Sequence, residues 1–373
     1  MGSDRVSIKD VSALAGVSTA TVSNVFSGRK PVNAELQERV RQAAEHLGYQ
    51  PDRAASQLRS GRTRVVAVLV PDLTDTFFAT IVTRIEALAS SAGYDVIVAS
   101  SCDDRATEAS RLKALLAWRP AGVIAVPCSN EVPEALAAAS GRLPMVLVDR
   151  VCVPCPIADS VTIDNRDAGE IAARHLVERG HRNILLAASR MAIAPVAARM
   201  EAAADHILRE TGVAPTILEL GTATEAGANI FTHWLERHPV PDAVIAATNV
   251  TTLASLSAFA RARIMIPDRT SIVAFDDDAW MSARNTGLTA IRQPVEAIAE
   301  AAWQRLMYRL AGHADAAPEA LVLSAGLVVR ASVGERAVVP PPAGRTAARS
   351  RSSPFSPPAL AGTASRKGPK PIH

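Results

Sequence analysis

Residues 8–28, IKDVSALAGVSTATVSNVFSG, hold two short amphipathic segments joined by Ala15-Gly16-Val17, and no other stretch narrows the fold as far. Ser7-x-x-Asp10 has the spacing of a capping box, in which hydroxyl and carboxylate each take up a backbone N–H left open at a helix start. The first helix then carries Ile8, Val11, Leu14 and Ala15 on one side. Gly16 can adopt positive φ without a Cβ penalty, Val17 fills the angle between the helices, and Ser18 caps the second. That helix turns Val22, Val25 and Phe26 inward and leaves Ser18, Thr19, Ala20, Thr21, Ser23 and Asn24 outward or near its N-terminus. Small hydroxyls and an amide, with no long acid among them, suit a major groove, where they can bond base edges or phosphates. A polar surface helix of an ordinary bundle has the same pattern, so the neighbouring residues have to decide between the two.

The next segment is a third helix capped by Asn33, with Leu36, Val40, Ala44 and Leu47 on one face and Gly48 at its stop. Residues 49–63, YQPDRAASQLRSGRT, then read as an extended piece, one or two turns of marginal helix and a basic linker. The set Asp10-Val11, Ala15-Gly16-Val17-Ser18, Thr21-Val22-Ser23, Gly48-Tyr49-x-Pro51 and Ala54-Ala55-x-x-Leu58 closely resembles the lactose-repressor (LacI/GalR) family of bacterial transcription regulators. The resemblance runs from about Ser7 to about Ser332. It implies that Thr19, Ala20 and Asn24 read bases, that Thr21 and Ser23 face phosphates, and that Leu58 is a minor-groove wedge in a hinge with Arg53 and Ala55. An apolar residue between Arg53 and Arg59 independently suits insertion at a base step; packing of Leu58 on the next domain is the plainer alternative.

Charge is distributed in the same sense. Residues 1–64 hold ten basic and six acidic side chains, and residues 337–373 six basic and none acidic, so the net charge of +3 leaves the middle at −7. Phosphate affinity therefore belongs to the ends, and the body repels DNA. No apolar run reaches the ~18 residues of a membrane span, and the N-terminus does not read as an export signal, so the expected location is cytoplasmic, with no membrane partner. Cys102, Cys128, Cys152 and Cys155 fit a reducing compartment; Cys152-x-x-Cys155 has neither a second pair nor a nearby histidine to make a metal site.

From Arg64 to Ser332, apolar runs alternate with amphipathic helical stretches. Strands are predicted at 65–70, 95–99, 123–126, 145–148, 183–188, 243–247 and 271–275, and helices at 77–92, 105–118, 167–179 and 253–263. Continuous apolar strands joined by crossover helices mean parallel sheets covered on both faces. The expected fold is thus α/β: a helix-turn-helix headpiece (1–50), a hinge and linker (51–63), two doubly wound lobes (64–336) and a disordered basic tail (337–373). The resemblance adds the periplasmic-binding-protein type I architecture, with crossings between lobes near Ile163, Ile291 and Leu323. Lobe 1 is then about 64–163 and 291–323, and lobe 2 about 164–290 and 324–336.

Ligands of such sheets sit beyond the carboxyl ends of the strands. That rule selects Asp72, Asp75, Phe77 and Phe78 after the first strand, Asp149 and Arg150 after the fourth, and Asp276 after a later one. Aspartate and arginine can bond hydroxyls in pairs, and a flat ring can cover the apolar face of a sugar. The resemblance implies effector contacts at Phe77, Asp149, Arg150, Arg199, Thr248, Asn249, Asp276 and Gln293. The run from Ser189 to Arg199, SRMAIAPVAAR, departs from the family by being apolar where polar ligand contacts are common. The expected effector is a sugar or sugar acid, with a less hydroxylated ligand, or loss of sensing, as the alternative.

The expected activity is sequence-specific binding of double-stranded, palindromic operator DNA by a homodimer, modulated by a small effector, with no cofactor and no metal. A dimer is expected because the tail lacks the leucine heptads through which some relatives tetramerise. A solute-binding protein would share the lobes but would need an export signal. An enzyme would need a nucleophile with a base or a metal cluster, and no H-E-x-x-H or Gly-x-Ser-x-Gly pattern occurs; His175, His181, His206, His233 and His238 are expected on helix surfaces or ends.

Overall fold

A computed structural model describes residues 6–27, 30–49, 63–151 and 155–336. The hinge residues Arg53, Ala55 and Leu58, Cys152, and the basic tail lie outside the described residues.

The headpiece has α1 (Ile8–Ala15), α2 (Thr19–Ser27) and α3 (Ala34–Leu47). At the start of α1, the Ser7 N–H and hydroxyl both donate to Asp10, at 2.8 and 2.7 Å. These bonds hold the Asp10 carboxyl below its usual range. Gly16 turns the chain at φ 63°, with its N–H and that of Val17 returned to the carbonyls of Ala13 and Ser12. Val11, Ala15, Val22, Val40, Ala43 and Ala44 form the core. Two expected core residues lie outside it: Leu14 is 53% exposed, and Phe26 is 37% exposed and tilted against Tyr49 at 5.9 Å. A headpiece this small has one buried seam per helix, and the seam of α1 runs through Val11 and Ala15, which turns Leu14 to its flank.

Beyond the headpiece, the first six-stranded sheet contains β1 (Val65–Val70), β2 (Asp95–Ser100), β3 (Gly122–Ala125), β4 (Met145–Val148), β5 (Asp159–Ile163) and β11 (Ala320–Leu323), in the order β11-β5-β4-β3-β1-β2, all parallel. The second contains β6 (Ile184–Ala188), β7 (Thr216–Glu219), β8 (Ala243–Ala246), β9 (Ser271–Phe275), β10 (Thr289–Arg292) and β12 (Gly326–Val328), in the order β12-β10-β9-β8-β6-β7, with β12 antiparallel to β10. The crossover helices are α4 (Thr76–Ser91), α5 (Arg105–Ala117), α6 (Glu134–Ala139), α7 (Asn165–Glu178), α8 (Ala194–Thr211), α9 (Thr224–Leu235), α10 (Asn249–Arg261), α11 (Ala279–Ser282) and α12 (Val295–Leu310). Central strands such as VVAVLV and SIVAF are buried along nearly their whole length, as two-sided cover requires.

The chain leaves the first sheet after Ile163, returns to it through α12, which packs on β3, β4 and β5, and ends in the second sheet with β12. Ile291 and Arg292 pair with Phe275 and Gly326 in the second sheet, so the middle passage, expected near Ile291, falls just after it at Gln293-Pro294. β5, DSVTI, is buried although polar, because Asp159 accepts from Arg309 at 2.6 and 2.9 Å, Arg305 at 3.2 Å and the Glu319 N–H at 2.8 Å. The histidines correct another expectation: His175, His181 and His206 are buried. His181 ties α7 to the second sheet through the Leu176 carbonyl at 3.0 Å and the Ser271 hydroxyl at 2.8 Å. Among the described residues, no helix is long and apolar enough to cross a membrane.

Candidate DNA-reading helix and effector cleft

In the headpiece, Ser18 Oγ accepts the Thr21 N–H at 3.1 Å and so caps α2, and it lies 2.9 Å from the Thr21 hydroxyl. Val22 is buried, Thr19 and Ala20 are exposed, and Thr21, Ser23 and Asn24 are half-exposed. The outer side of α2 is therefore short and polar. Arg39 of α3 donates to the Ala15 carbonyl at 2.6 Å and fixes the turn that aims α2.

A cleft of about 290 Å³ lies beyond the carboxyl ends of both sets of strands. Of the residues chosen from sequence, Phe77, Phe78, Asp149, Arg150, Arg199, Thr248, Asp276 and Gln293 line it, as do Asp72 and Asp75. Asn249 stands behind: its N–H donates to Asp276 at 2.9 Å, while its buried Oδ1 has no protein partner among the described residues. Thr248 caps α10, so that helix starts at Asn249, four residues before its predicted start.

The two lobes present matched groups. Asp149 follows β4 with φ 61° and Asp276 follows β9 with φ 82°, so in each lobe an aspartate leaves a central strand in left-handed backbone and turns its carboxylate to the cleft. Arg199, only 3% exposed, reaches in from α8. Gly169 of α7 permits this: a Cβ there would come within 2.0 Å of the Arg199 carbonyl oxygen. The guanidinium donates to Asn165 at 2.8 Å and the Ala247 carbonyl at 2.9 Å, and lies over the Phe275 ring at 4.7 Å. It forms no ion pair among the described residues.

Burial pushes the Asp149 and Asp276 carboxyls above their usual range against the pull of Arg199, and it lowers the proton affinity of Arg199 itself. Asp75 caps α4 by accepting the Phe77 N–H at 3.0 Å; burial, then the nearby Asp276 charge, pushes it up to about 6. Gln293 donates to Asp276 at 2.6 Å and keeps a buried Oε1 without a protein partner among the described residues. The cleft thus offers carboxylates, amide oxygens and one guanidinium to a hydroxyl-bearing molecule, while Ile193, Pro195 and Val196 give it an apolar wall.

Sequence reasoning missed Asp103, which lines the cleft between Arg150 and Arg190, and Asn130, whose side chain meets the 192–194 backbone. Applying the strand-end rule to β2 would have found Asp103, three residues past Ser100.

Residues 7–52 match the domain described as bacterial regulatory proteins, lacI family, and residues 173–333 a periplasmic binding protein-like domain. The HTH-type transcriptional regulator PtxS of Pseudomonas putida is 32% identical over 332 residues, which cover 88% of this chain and 96% of the relative. The chain belongs to the lacI family. Among solved structures, this lacI-family chain is similar to the Lac repressor dimer bound to operator and the anti-inducer ONPF (TM-score 0.79, 26% identity, 89% of this chain and 100% of that one). It is also similar to a complex of the transcriptional regulator CelR with cellobiose (TM-score 0.64, 26% identity, 88% and 100%). The lacI-family protein is a DNA-binding transcriptional regulator, and these relatives and neighbours are regulators rather than enzymes.

Proposed function

We propose that this regulator is a repressor that binds a palindromic operator as a homodimer and whose grip is adjusted by a small carbohydrate, a sugar or sugar acid, in the cleft between its lobes. The observation that carries the reading is the matched pair Asp149 and Asp276 flanking Arg199, a buried guanidinium without an ion pair among the described residues. A polyhydroxyl ligand accepts from the arginine and donates to the carboxylates, completing bonds that the protein leaves open. The apolar wall of Ile193, Pro195 and Val196 restricts hydroxyls to the opposite side of the ligand.

In this proposal residues 1–50 are the headpiece, 51–63 the hinge, 64–336 the effector body and 337–373 a basic tail. Thr19, Ala20 and Asn24 read base edges; Ser18, Thr21 and Ser23 face phosphates. Leu58, with Arg53 and Ala55, opens the minor groove at the centre of the operator. Effector contacts are Phe77, Phe78, Asp149, Arg150, Arg199, Thr248, Asn249, Asp276 and Gln293. A ligand that prefers one closure of the lobes changes hinge spacing and hence operator affinity, by about 1 to 3 kcal/mol of coupling.

A thermal-shift screen of sugars and sugar acids tests the effector half, since a ligand bound only by the folded state raises the melting temperature. The shift should vanish in Arg199→Met; a screen in which no carbohydrate raises the melting temperature overturns it. Protection of a short inverted repeat from nuclease tests the DNA half.

A further inference from the structure

The protein's own side chains join its lobes across the cleft. Asp103 stands after β2 in a loop where Cys102 and Asp103 both take positive φ, 52° and 56°, and where the Asp103 N–H returns to the Pro71 carbonyl at 3.2 Å. One oxygen of its carboxylate bonds Arg150 of its own lobe and the other bonds Arg190, which follows β6 in the opposite lobe. Asn130 grips the same turn of the opposite lobe: it donates to the Ala192 carbonyl at 3.2 Å and accepts the Ala194 N–H at 2.8 Å. Thr76 donates to Asp278 at 2.6 Å, a fourth bond between the lobes.

We propose that Asp103 is a latch: its ion pair with Arg190 fixes the 190–194 turn of the second lobe against the first and sets how far the cleft stands open before any effector arrives. This rests on the reading of the cleft as the effector site and names the residues that set its resting position. Two features distinguish the pair from an ordinary surface ion pair. The Asp103 side chain is only 16% exposed and is backed by Arg150 at 11%, so although Arg190 itself is 42% exposed, the carboxylate end of the pair is weakly screened. Arg150, stacked over Phe78 at 5.6 Å, holds the carboxylate in place so that little freedom is lost when Arg190 docks. The latch also stands beside a backbone amide, Ala194 N–H, whose bond to Asn130 exists only while the lobes are together.

Amide exchange of the full-length regulator in ligand-free buffer reads the latch through that N–H. Arg190→Gln and Asp103→Asn should each speed exchange across 191–196 about threefold to tenfold while amides of β4 and β8 keep their rates. The double variant should exchange no faster than Asp103→Asn, and Arg190→Lys should restore the slow rate. Unchanged exchange in 191–196, or single effects that multiply in the double variant, would overturn the proposal. The assay contains no effector, so a failed ligand screen beside intact coupling refutes the effector reading and leaves the latch standing.

Discussion

Arg39 donates to the carbonyl of Ala15 across 24 residues of chain, at 2.6 Å, directly over the left-handed turn of Gly16. One bond thereby joins α3 to the point where the chain turns from α1 into α2. Gly16→Ala forces an L side chain to φ 63° and brings its Cβ within 2.9 Å of the flexible end of Arg39. The backbone strain dominates, at about 1 kcal/mol or somewhat more. Headpiece melting should fall by several degrees, and footprints should weaken in proportion.

Gly169→Ala is expected to be far more damaging. The new Cβ would meet backbone, the Arg199 carbonyl at 2.0 Å, and neither α7 nor α8 can yield alone. The loss should exceed about 3 kcal/mol in chemical denaturation, beyond the range of a well-tolerated core overpacking. Any carbohydrate-induced rise in melting temperature should disappear with it, because α8 carries Arg199.

Asp75 gives the pH dependence of the cleft. Its folded pKa of about 6 lies above the ordinary aspartate value of 3.8, so the folded state holds the proton more tightly than the unfolded state. Its contribution to stability is therefore full below about pH 4 and is lost as pH rises through about 6. Asp75→Asn keeps a good helix cap for α4 and removes the charge. Melting temperature should rise in the variant at pH 7 to 8 and match the wild type near pH 4; equal melting at both pH values would contradict the assignment.

Asp159 has the opposite sign. Although burial opposes it, the bonds from Arg309, Glu319 and Arg305 hold its carboxyl below the usual range, so its stabilisation is present at neutral pH and lost as the solution is acidified through the folded value. Asp159→Ala leaves the buried Arg309 with backbone carbonyls but no counter-charge, while Arg305 keeps Glu319 at 2.6 Å, and should cost about 3 kcal/mol, measured by urea unfolding at pH 7.

Asn24→Ala tests base reading. Specific binding should weaken by about 1 to 3 kcal/mol with relaxed preference at one base pair, whereas nonspecific binding at low salt should hardly change. Leu58→Ala should likewise weaken specific far more than nonspecific binding in a gel-shift titration; equal losses would reject the wedge.

The layout of the lobes can be read because the central strands are apolar over most of their length, as VVAVLV and SIVAF are. The edges are harder. TILE of β7 and ALVL of β11 are partly exposed and short; the inner strand β5 is hard for another reason, since DSVTI is polar and its Asp159 is satisfied by Arg305 and Arg309, some 150 residues later, and by the Glu319 N–H. Strand-end chemistry located Asp149, Arg150 and Asp276, while Arg199, Thr248 and Gln293 came from family resemblance. The strand-end rule applied to β6 reaches Arg190, two residues past Ala188, but neither route shows that Arg190 and Asn130 bond across the lobes, because those contacts lie 62 to 87 residues distant.

The short step from β11 to β12 has a mechanical consequence. Leu323 belongs to one sheet and Gly326 to the other, and three peptide units span roughly 10 Å at most. At this tether the lobes cannot drift apart, so the ligand-linked closure proposed above would be a rotation around a nearly stationary pivot. In the proposed mechanism, a molecule of a few dozen atoms that favours one angle at this joint turns one lobe of roughly 130 residues against the other.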